Sequence, residues 1–181
     1  MVIKVFEVSP TALPLGKYEQ HTRDELFFKQ ALGVLGYPGF AYLRGTGKRN
    51  PTELLMEALD SENLDPRVTE ALPWLPVTYP EMDWGWLTLN AKIRDRQNRL
   101  AFVVALASQI ASRRGDADLA EMLSKKVAML ERSRLAAEDT LGRDSVTQSE
   151  RMWLRTHRSP EAQHWNLLTD LSAEHLDHAF R

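Results

Sequence analysis

Cysteine is absent from the 181 residues of this chain. Its absence excludes disulfide bonds, thiolate metal sites and cysteine nucleophiles together. An excess of one charge is also lacking, because 23 basic residues stand against 25 acidic ones and leave a formal net charge of −2. Dedicated nucleic-acid binders usually carry a basic excess, so any such site in this chain must be a local patch.

Long apolar runs are missing as well. The most apolar stretch extends from Leu100 to Ala111, well short of the roughly 20 residues that cross a bilayer. The first seven residues are too few and too charged for a signal peptide. We therefore expect a cytoplasmic protein that makes no contact with a membrane.

Familiar catalytic motifs are lacking too. The chain contains no Gly-x-Ser-x-Gly elbow, no His-Glu-x-x-His pair and no glycine-rich dinucleotide fingerprint. The sequence therefore predicts no catalytic residue, no metal and no cofactor. It favours a non-enzymatic function and leaves an enzyme with an unfamiliar site open.

What the chain does contain is a pattern of helices. Hydrophobic residues make up 43% of it, and many recur at helical spacing. Helix start signals are dense along the chain. They are the pairs Asn50-Pro51, Asp65-Pro66 and Ser159-Pro160, and the capping boxes Thr22 with Glu25 and Thr147 with Glu150. These patterns predict a mainly α protein.

The predicted architecture is a helical bundle around a long central helix at residues 82–113. Trp86, Leu89, Ile93 and Leu100 fall near one face of that helix and are expected to be buried. A second long helix is predicted at 118–140, and an extended bend at 74–79.

The N-terminal part of the chain is predicted to be less regular. Two short strands are predicted there, at residues 2–8 and 40–43. A candidate boundary near Tyr79-Pro80 divides an N-terminal region, residues 1–79, from a C-terminal helical bundle, residues 80–181. One continuous domain is the alternative.

An aromatic cluster surrounds this boundary. Trp74, Tyr79 and Trp84 lie in or beside a proline-rich segment, and tryptophan is favoured at interface hot spots because it buries a large flat area. We interpret the three residues as a candidate partner-binding surface and place Trp86 in the core. The alternative is that they pin the bend onto the bundle.

A glycine-rich basic loop supplies a second candidate. Lys48, Arg49 and Asn50 precede a predicted helix, where charge and free amides suit an anion or a nucleic-acid backbone. The P-loop pattern fails, because Tyr42 stands where a glycine is required and Arg49 where serine or threonine is required. A polar connector is the favoured alternative.

Two amides within the central helix form a third candidate. Gln97 lies on the apolar stripe and Asn98 follows it. A buried amide without partners costs roughly 1 to 3 kcal/mol, so we predict a buried polar network at these residues. Arg94, Arg96 and Arg99 are expected to fan around the helix rather than to share a face.

Several segments together resemble a group of uncharacterised bacterial helical proteins associated with two-gene toxin–antitoxin or phage-defence operons. They are Glu70-Ala71-Leu72-Pro73-Trp74-Leu75, Asp83-Trp84-Gly85-Trp86-Leu87, residues 91–102, Glu131-Arg132-Ser133-Arg134-Leu135 and residues 164–171. The resemblance covers residues 50–178. It transfers no mechanism and no functional residue. Where those proteins often carry glycine after Asn-Arg-Leu, this chain has Ala101.

These observations lead to one leading hypothesis and two alternatives. The leading hypothesis is a regulatory protein that binds a protein partner, as the antitoxin of a toxin–antitoxin module that occludes its toxin. The alternatives are a DNA-binding transcriptional regulator, with Lys48 and Arg49 contacting phosphates, and an enzyme with an unrecognised site. Self-association stays open.

Overall fold

The computed structural model describes residues 8–45 and 47–180 and is mainly helical, as predicted. The α-helices are α1 (Glu25–Leu35), α2 (Pro51–Asp60), α3 (Pro66–Ala71), α4 (Trp74–Thr78), α5 (Trp84–Ile93), α6 (Gln97–Arg113), α7 (Ala117–Glu131), α8 (Gln148–His157) and α9 (Pro160–His164). Short 3-10 helices span Pro10–Ala12, Pro38–Phe40 and Ala173–Phe180. Two-residue strands β1 (Asp139–Thr140) and β2 (Leu167–Leu168) pair in parallel.

Helix α6 lies at the centre of the bundle. Its residues from Gln97 to Val104 are all buried, because α4, α5, α7 and α9 all pack against it. Removing each large apolar side chain from water stabilises the fold by roughly 1.5 to 3 kcal/mol. The central helix of the prediction therefore exists, but it begins at residue 97.

The predicted helix at 82–113 is wrong in its length, because α5 and α6 are separate helices. Asp95 interrupts it with a left-handed backbone, φ 57°. The Arg96 amide turns back to the carbonyl of Ala91 at 2.7 Å and closes the end of α5. Neither glycine nor proline stands at this break, and apolar residues continue at helical spacing on both sides of it. The sequence pattern therefore predicts one continuous helix.

Most predicted helix starts are confirmed. Asn50 accepts a hydrogen bond from the Thr52 amide at 2.9 Å, and Asp65 caps α3 in the same way. The capping box of Thr147 and Glu150 opens α8 as predicted. These short polar side chains satisfy amides that the first turn leaves free.

The predicted cap of α1 is wrong by two residues. Asp24 caps this helix by accepting a hydrogen bond from the Phe27 amide at 2.7 Å, whereas the sequence favoured Thr22. Both residues are common caps and stand close together, so local sequence did not separate them.

Three further elements differ from the prediction. Phe40 ends a 3-10 helix and residues 41–43 form a turn, so no strand forms at 40–43; of the other predicted strand, at 2–8, all but Val8 lies outside the described residues. The expected bend at 74–79 is the helix α4, because Pro76 falls in its first turn, where proline forfeits no helical hydrogen bond. Helix α7 ends at Glu131, and 139–140 are strand β1.

Contacts cross the predicted boundary at residue 79. The Asp83 amide donates to the Thr52 hydroxyl at 3.2 Å, and the Trp86 indole donates to the carbonyl of Gly16 at 3.0 Å. Buried apolar residues from both sides belong to one core cluster. The division into two domains stays a prediction. Within the described ranges, no helix combines the length and apolar content needed to span a bilayer.

Candidate partner-binding site

An apolar groove of about 340 Å³ lies between α5 and α7. Its lining residues are Trp84, Gly85, Thr88, Leu89, Lys92, Lys126 and Met129. We refer to it as the α5–α7 groove. It contains Trp84, one of the three aromatic residues that the sequence indicates for partner binding.

The groove exists because α5 is apolar on two sides. Leu87 and Ala91 are fully buried against the core, which leaves Leu89 and Ile93 on the outer side with 59% and 69% of their surface exposed. The sequence placed these two residues in the core, and this is wrong. The break at Asp95 rotates α5 relative to α6 about the helix axis. The single apolar stripe predicted along residues 82–113 is therefore two stripes, one on each helix, that face different directions.

Helix α7 supplies the other wall. It buries Leu123 and Leu130 and leaves Met129 61% exposed. Contiguous exposed apolar surface is unusual on a monomer and often marks an interaction site. Methionine is suited to such a surface because its flexible, polarisable side chain adapts to different partners.

Trp84 lies half-buried at one end of the groove. Its indole Nε1 donates to the carbonyl of Pro80 at 2.9 Å, so the polar atom of the ring is satisfied within the chain. Lys126 Nζ lies 5.6 Å from the ring centroid, in a cation–π arrangement. The remaining surface of the ring is therefore an apolar face bordered by a positive charge.

Gly85 keeps this end of the groove open. A Cβ atom built on it would meet only Asp83 Oδ1, at 3.4 Å, which is an ordinary contact distance. The helix start is independent of Gly85, since Asp83 caps it by accepting from the Trp86 amide at 2.8 Å. Because Gly85 lines the groove and its Cβ position has room, we expect a larger side chain at residue 85 to occupy groove space.

The rims of the groove are positively charged. The residues that line it include Lys92 and Lys126 and no carboxylate. Lysine stems lie along apolar surface while their ammonium groups stay in water. The arrangement offers apolar contact in the middle and attraction for negative charge at the edges.

The structure separates the other two aromatic candidates from Trp84. Trp74 is only 7% exposed and packs edge-on against Tyr37 and Tyr79, at 5.4 and 5.8 Å between ring centroids. The Tyr79 hydroxyl donates to the carbonyl of Leu35 at 2.6 Å, and burial raises its pKa. Trp74 and Tyr79 therefore tie α4 to α1, which is the alternative interpretation, and Trp74 offers no surface to a partner.

Trp86 differs from the prediction in the opposite direction. It is half-buried rather than enclosed in the core. Its ring meets that of Tyr18 edge-on, at 5.9 Å between centroids. It fixes the N-terminal segment to α5.

The three candidates of the basic loop also differ in exposure. Asn50 is 3% exposed and donates to the carbonyls of Thr11 and Leu13 at 3.2 and 2.7 Å, so it holds the N-terminal segment and is not available to an anion. Lys48 is exposed, and Arg49 lies over the Phe27 ring at 4.6 Å.

The predicted amides Gln97 and Asn98 are both buried. Asn98 Nδ2 donates to the carbonyls of Leu135 and Trp165, each at 2.9 Å, and its Oδ1 accepts from the Leu135 amide. Gln97 donates to the carbonyl of Ser133 at 3.1 Å. They hold the segment after α7 against the start of α6.

Sequence reasoning missed a cluster of charges at the start of α6. Arg99 is 1% exposed and forms two hydrogen bonds of 2.7 Å to the carboxylate of Asp139. It also donates to the carbonyls of Leu59 and Ser61 at 3.0 Å and to Asp144 at 3.2 Å. One buried guanidinium thus joins α6 to the end of α2 and to the strand region.

Arg94 and Arg96 join the same cluster by binding Asp60. Their guanidinium groups lie 3.4 and 3.3 Å from its two carboxylate oxygens. The Tyr18 hydroxyl donates to Asp60 at 3.3 Å, and burial together with the Asp60 charge raises the Tyr18 pKa far above its usual range. The expectation that the arginines fan apart is wrong, because the break at Asp95 lets residues on both sides of it face one region.

Asp139 shows how strongly Arg99 acts. Burial alone would raise the pKa of this carboxyl, but the hydrogen bonds and charge of Arg99 outweigh it and hold the pKa below its usual range. Because the carboxylate is tied to Arg99 rather than left free in a cleft, we interpret the cluster as structural. Among the side chains that the structure describes, which exclude those of Glu25 and of residues 1–7, 46 and 177–181, no group of three or more acidic or histidine residues is placed to hold a metal ion.

Comparison with known proteins gives no family for this chain. No protein-family model, no curated protein and no solved structure matches it.

Proposed function

We propose that this chain is a non-enzymatic regulatory protein that binds a protein partner through the α5–α7 groove. The observation that carries the proposal is the exposed apolar surface of Leu89 and Met129 beside Trp84 in the groove, with Ile93 exposed one turn further along α5. A tryptophan in an apolar depression is a common hot spot of protein interfaces.

The biological setting that we propose is a toxin–antitoxin module. In this setting the chain is the antitoxin, and it neutralises its toxin by covering the toxin's active site. The support is the resemblance of residues 50–178 to proteins from such operons, together with the exposed apolar groove between α5 and α7. No step of chemistry is required of the chain.

Co-expression with the product of the adjacent gene tests the proposal. If that product arrests growth, this chain should restore growth and co-purify with it. A Leu89→Asp variant should lose both effects, because it places a charge in the middle of the apolar contact. Met152→Asp is the matched control, since Met152 is equally exposed but lies on α8, and it should behave as the wild type. An adjacent product that does not affect growth would contradict the antitoxin proposal.

A DNA-binding regulator is the second candidate. Arg23, Lys48 and Arg49 line one open cavity, so three cations face the same space. Binding to the chain's own promoter should weaken steeply with salt, and a Lys48→Ala/Arg49→Ala variant should reduce that slope. Glu53 and Glu57 lie within 4 Å of Arg49, at 3.8 and 3.7 Å, and reduce the positive potential, which is why we place this candidate second.

A further inference from the structure

We infer that the occupant of the α5–α7 groove is an amphipathic α-helix of the partner, with carboxylates beside its apolar stripe. The inference rests on the proposed protein-binding function and names the kind of segment that is bound. Two properties of the groove carry it, its shape and its charge.

The shape suits a helix. The two walls are themselves helices, and the groove between them is lined by the apolar side chains of Trp84 and Leu89 on α5 and Met129 on α7. At 1.5 Å per residue, the part of α5 from Trp84 to Lys92 is about 12 Å long. Apolar anchors at positions i, i+4 and i+7 of a bound helix span about 10.5 Å by the same arithmetic, so three anchors fit. Helix-in-groove binding uses this spacing.

The charge selects the flanks of that helix. Lys92 and Lys126 border the apolar centre, and the carboxylate of Asp83, beside the lining, lies at the Gly85 end of the groove. Lys126 Nζ also lies over the Trp84 ring, 5.6 Å from its centroid, so its ammonium lies beside the place where an anchor would bind. Carboxylates next to the apolar stripe of the partner would meet these cations, and lysines in the same places would be repelled.

Designed peptides test both properties on the full chain. The first is an 18-residue peptide with leucines at i, i+3, i+4 and i+7 spacing and glutamates at the flanking positions, and the second replaces each glutamate with lysine. Titration calorimetry at low ionic strength should give at least tenfold tighter binding of the glutamate peptide, and added salt should reduce the difference. A third peptide with the same composition as the first but scrambled leucines should bind at least tenfold more weakly.

A variant in which a larger side chain fills the groove tests where the peptide binds. Gly85→Gln should weaken the glutamate peptide at least tenfold and leave the thermal midpoint of the chain unchanged or higher, because glutamine forms helix better than glycine. Gly16→Gln is the control, because Gly16 has open space around it and lies outside the groove. It should bind the peptide as the wild type does.

Each other outcome has a defined meaning. Equal binding of the acidic and basic peptides, or equal binding to wild type and Gly85→Gln, would overturn the inference. So would sedimentation that shows a dimer lost in Gly85→Gln, because the occupant would then be a second copy of this chain. If the peptide binds and growth rescue fails, the antitoxin setting is wrong and the groove's preference stands. If rescue succeeds and no peptide binds, the antitoxin setting stands and the proposed helical occupant of the groove is wrong.

Discussion

At the scale of single residues, Arg99 joins distant segments through five side-chain hydrogen bonds. It is buried, and it binds one carboxylate twice and two backbone carbonyls. Removing one partner of a buried ion pair costs about 3 to 5 kcal/mol, because the other is left uncompensated. Because 27% of the Asp139 side chain is exposed, we expect Arg99→Met, which keeps most of the side-chain volume, to lower the free energy of unfolding by up to that amount in urea titration.

An exposed ion pair of similar geometry is the control. Arg155 binds Glu138 through two hydrogen bonds of 2.9 and 2.8 Å, but its side chain is 54% exposed. Pairs of this kind contribute about 1 kcal/mol or less, so Arg155→Met should change stability little. Equal losses in the two variants would show that burial of Arg99 is not what makes its pair important.

The partner of Arg99 gives a pH-dependent prediction. The pKa of Asp139 is lowered in the folded chain, whereas in the unfolded chain it lies near its ordinary value of about 3.9. The stabilisation is therefore present above about pH 4 and is lost as the pH falls through the folded pKa. Urea titrations between pH 7 and pH 3 should show Asp139→Asn less stable than wild type at neutral pH, with a gap that narrows in acid. A gap of constant size would contradict this.

At the scale of the elements, the break between α5 and α6 determines where the side chains of α5 point. Asp95 forms it with φ 57°; a left-handed conformation costs most non-glycine residues roughly 1 to 2 kcal/mol, and Asp less than most because its short polar side chain can hydrogen-bond locally. Glycine adopts it freely but loses more entropy on folding. We expect Asp95→Gly to raise the free energy of unfolding by up to about 1 kcal/mol.

Glycine at a right-handed helical position should have the opposite effect. Asp118 is exposed and lies in the first turn of α7, so Asp118→Gly should lower stability in the same urea titration. If both substitutions destabilise the chain, the backbone at residue 95 carries no strain that glycine can relieve.

Helix starts could be predicted from the sequence and the break could not. The pairs Asn50-Pro51 and Asp65-Pro66 are local signals, since a cap acts on amides two or three residues away. Asp95 has no such signal. Its conformation is fixed by what packs on either side of it, on α5 and on α6. Because the break at Asp95 has no sequence signal, the predicted buried face of α5 is wrong along the whole helix. The prediction that Leu89 lies in the core follows from that error.

The candidate site, too, could be predicted from the sequence only in part. Trp84 could be proposed from its residue type and its position beside the prolines. Lys126 and Met129 lie on α7, far along the chain, and only the packing of α7 beside α5 brings them to the groove. Trp74 and Trp84 both lie in or near the proline-rich segment, so the sequence gives no reason to expect one exposed and the other buried. The structure separates them because Trp74 is enclosed by Tyr37 and Tyr79.

At the scale of the whole molecule, the two sides of residue 79 depend on each other. Arg99 on α6 takes the carbonyls of Leu59 and Ser61, at the end of α2. In return, the Leu64 amide donates to the carbonyl of Gly142 at 2.8 Å. Neither half keeps these partners alone, and a buried polar group without its partner costs roughly 1 to 3 kcal/mol.

Dividing the chain at residue 79 should therefore abolish folding of both pieces. Fragment 80–181 would expose the faces of α5 and α6 that pack on α2 and α4, and fragment 1–79 would lose the cover of its apolar helices. A few kcal/mol is a large part of the stability of a domain this size. We expect neither fragment to show a cooperative thermal transition by circular dichroism, and a stoichiometric mixture to recover helical signal. A fragment that melts cooperatively by itself would establish two domains and contradict the shared core.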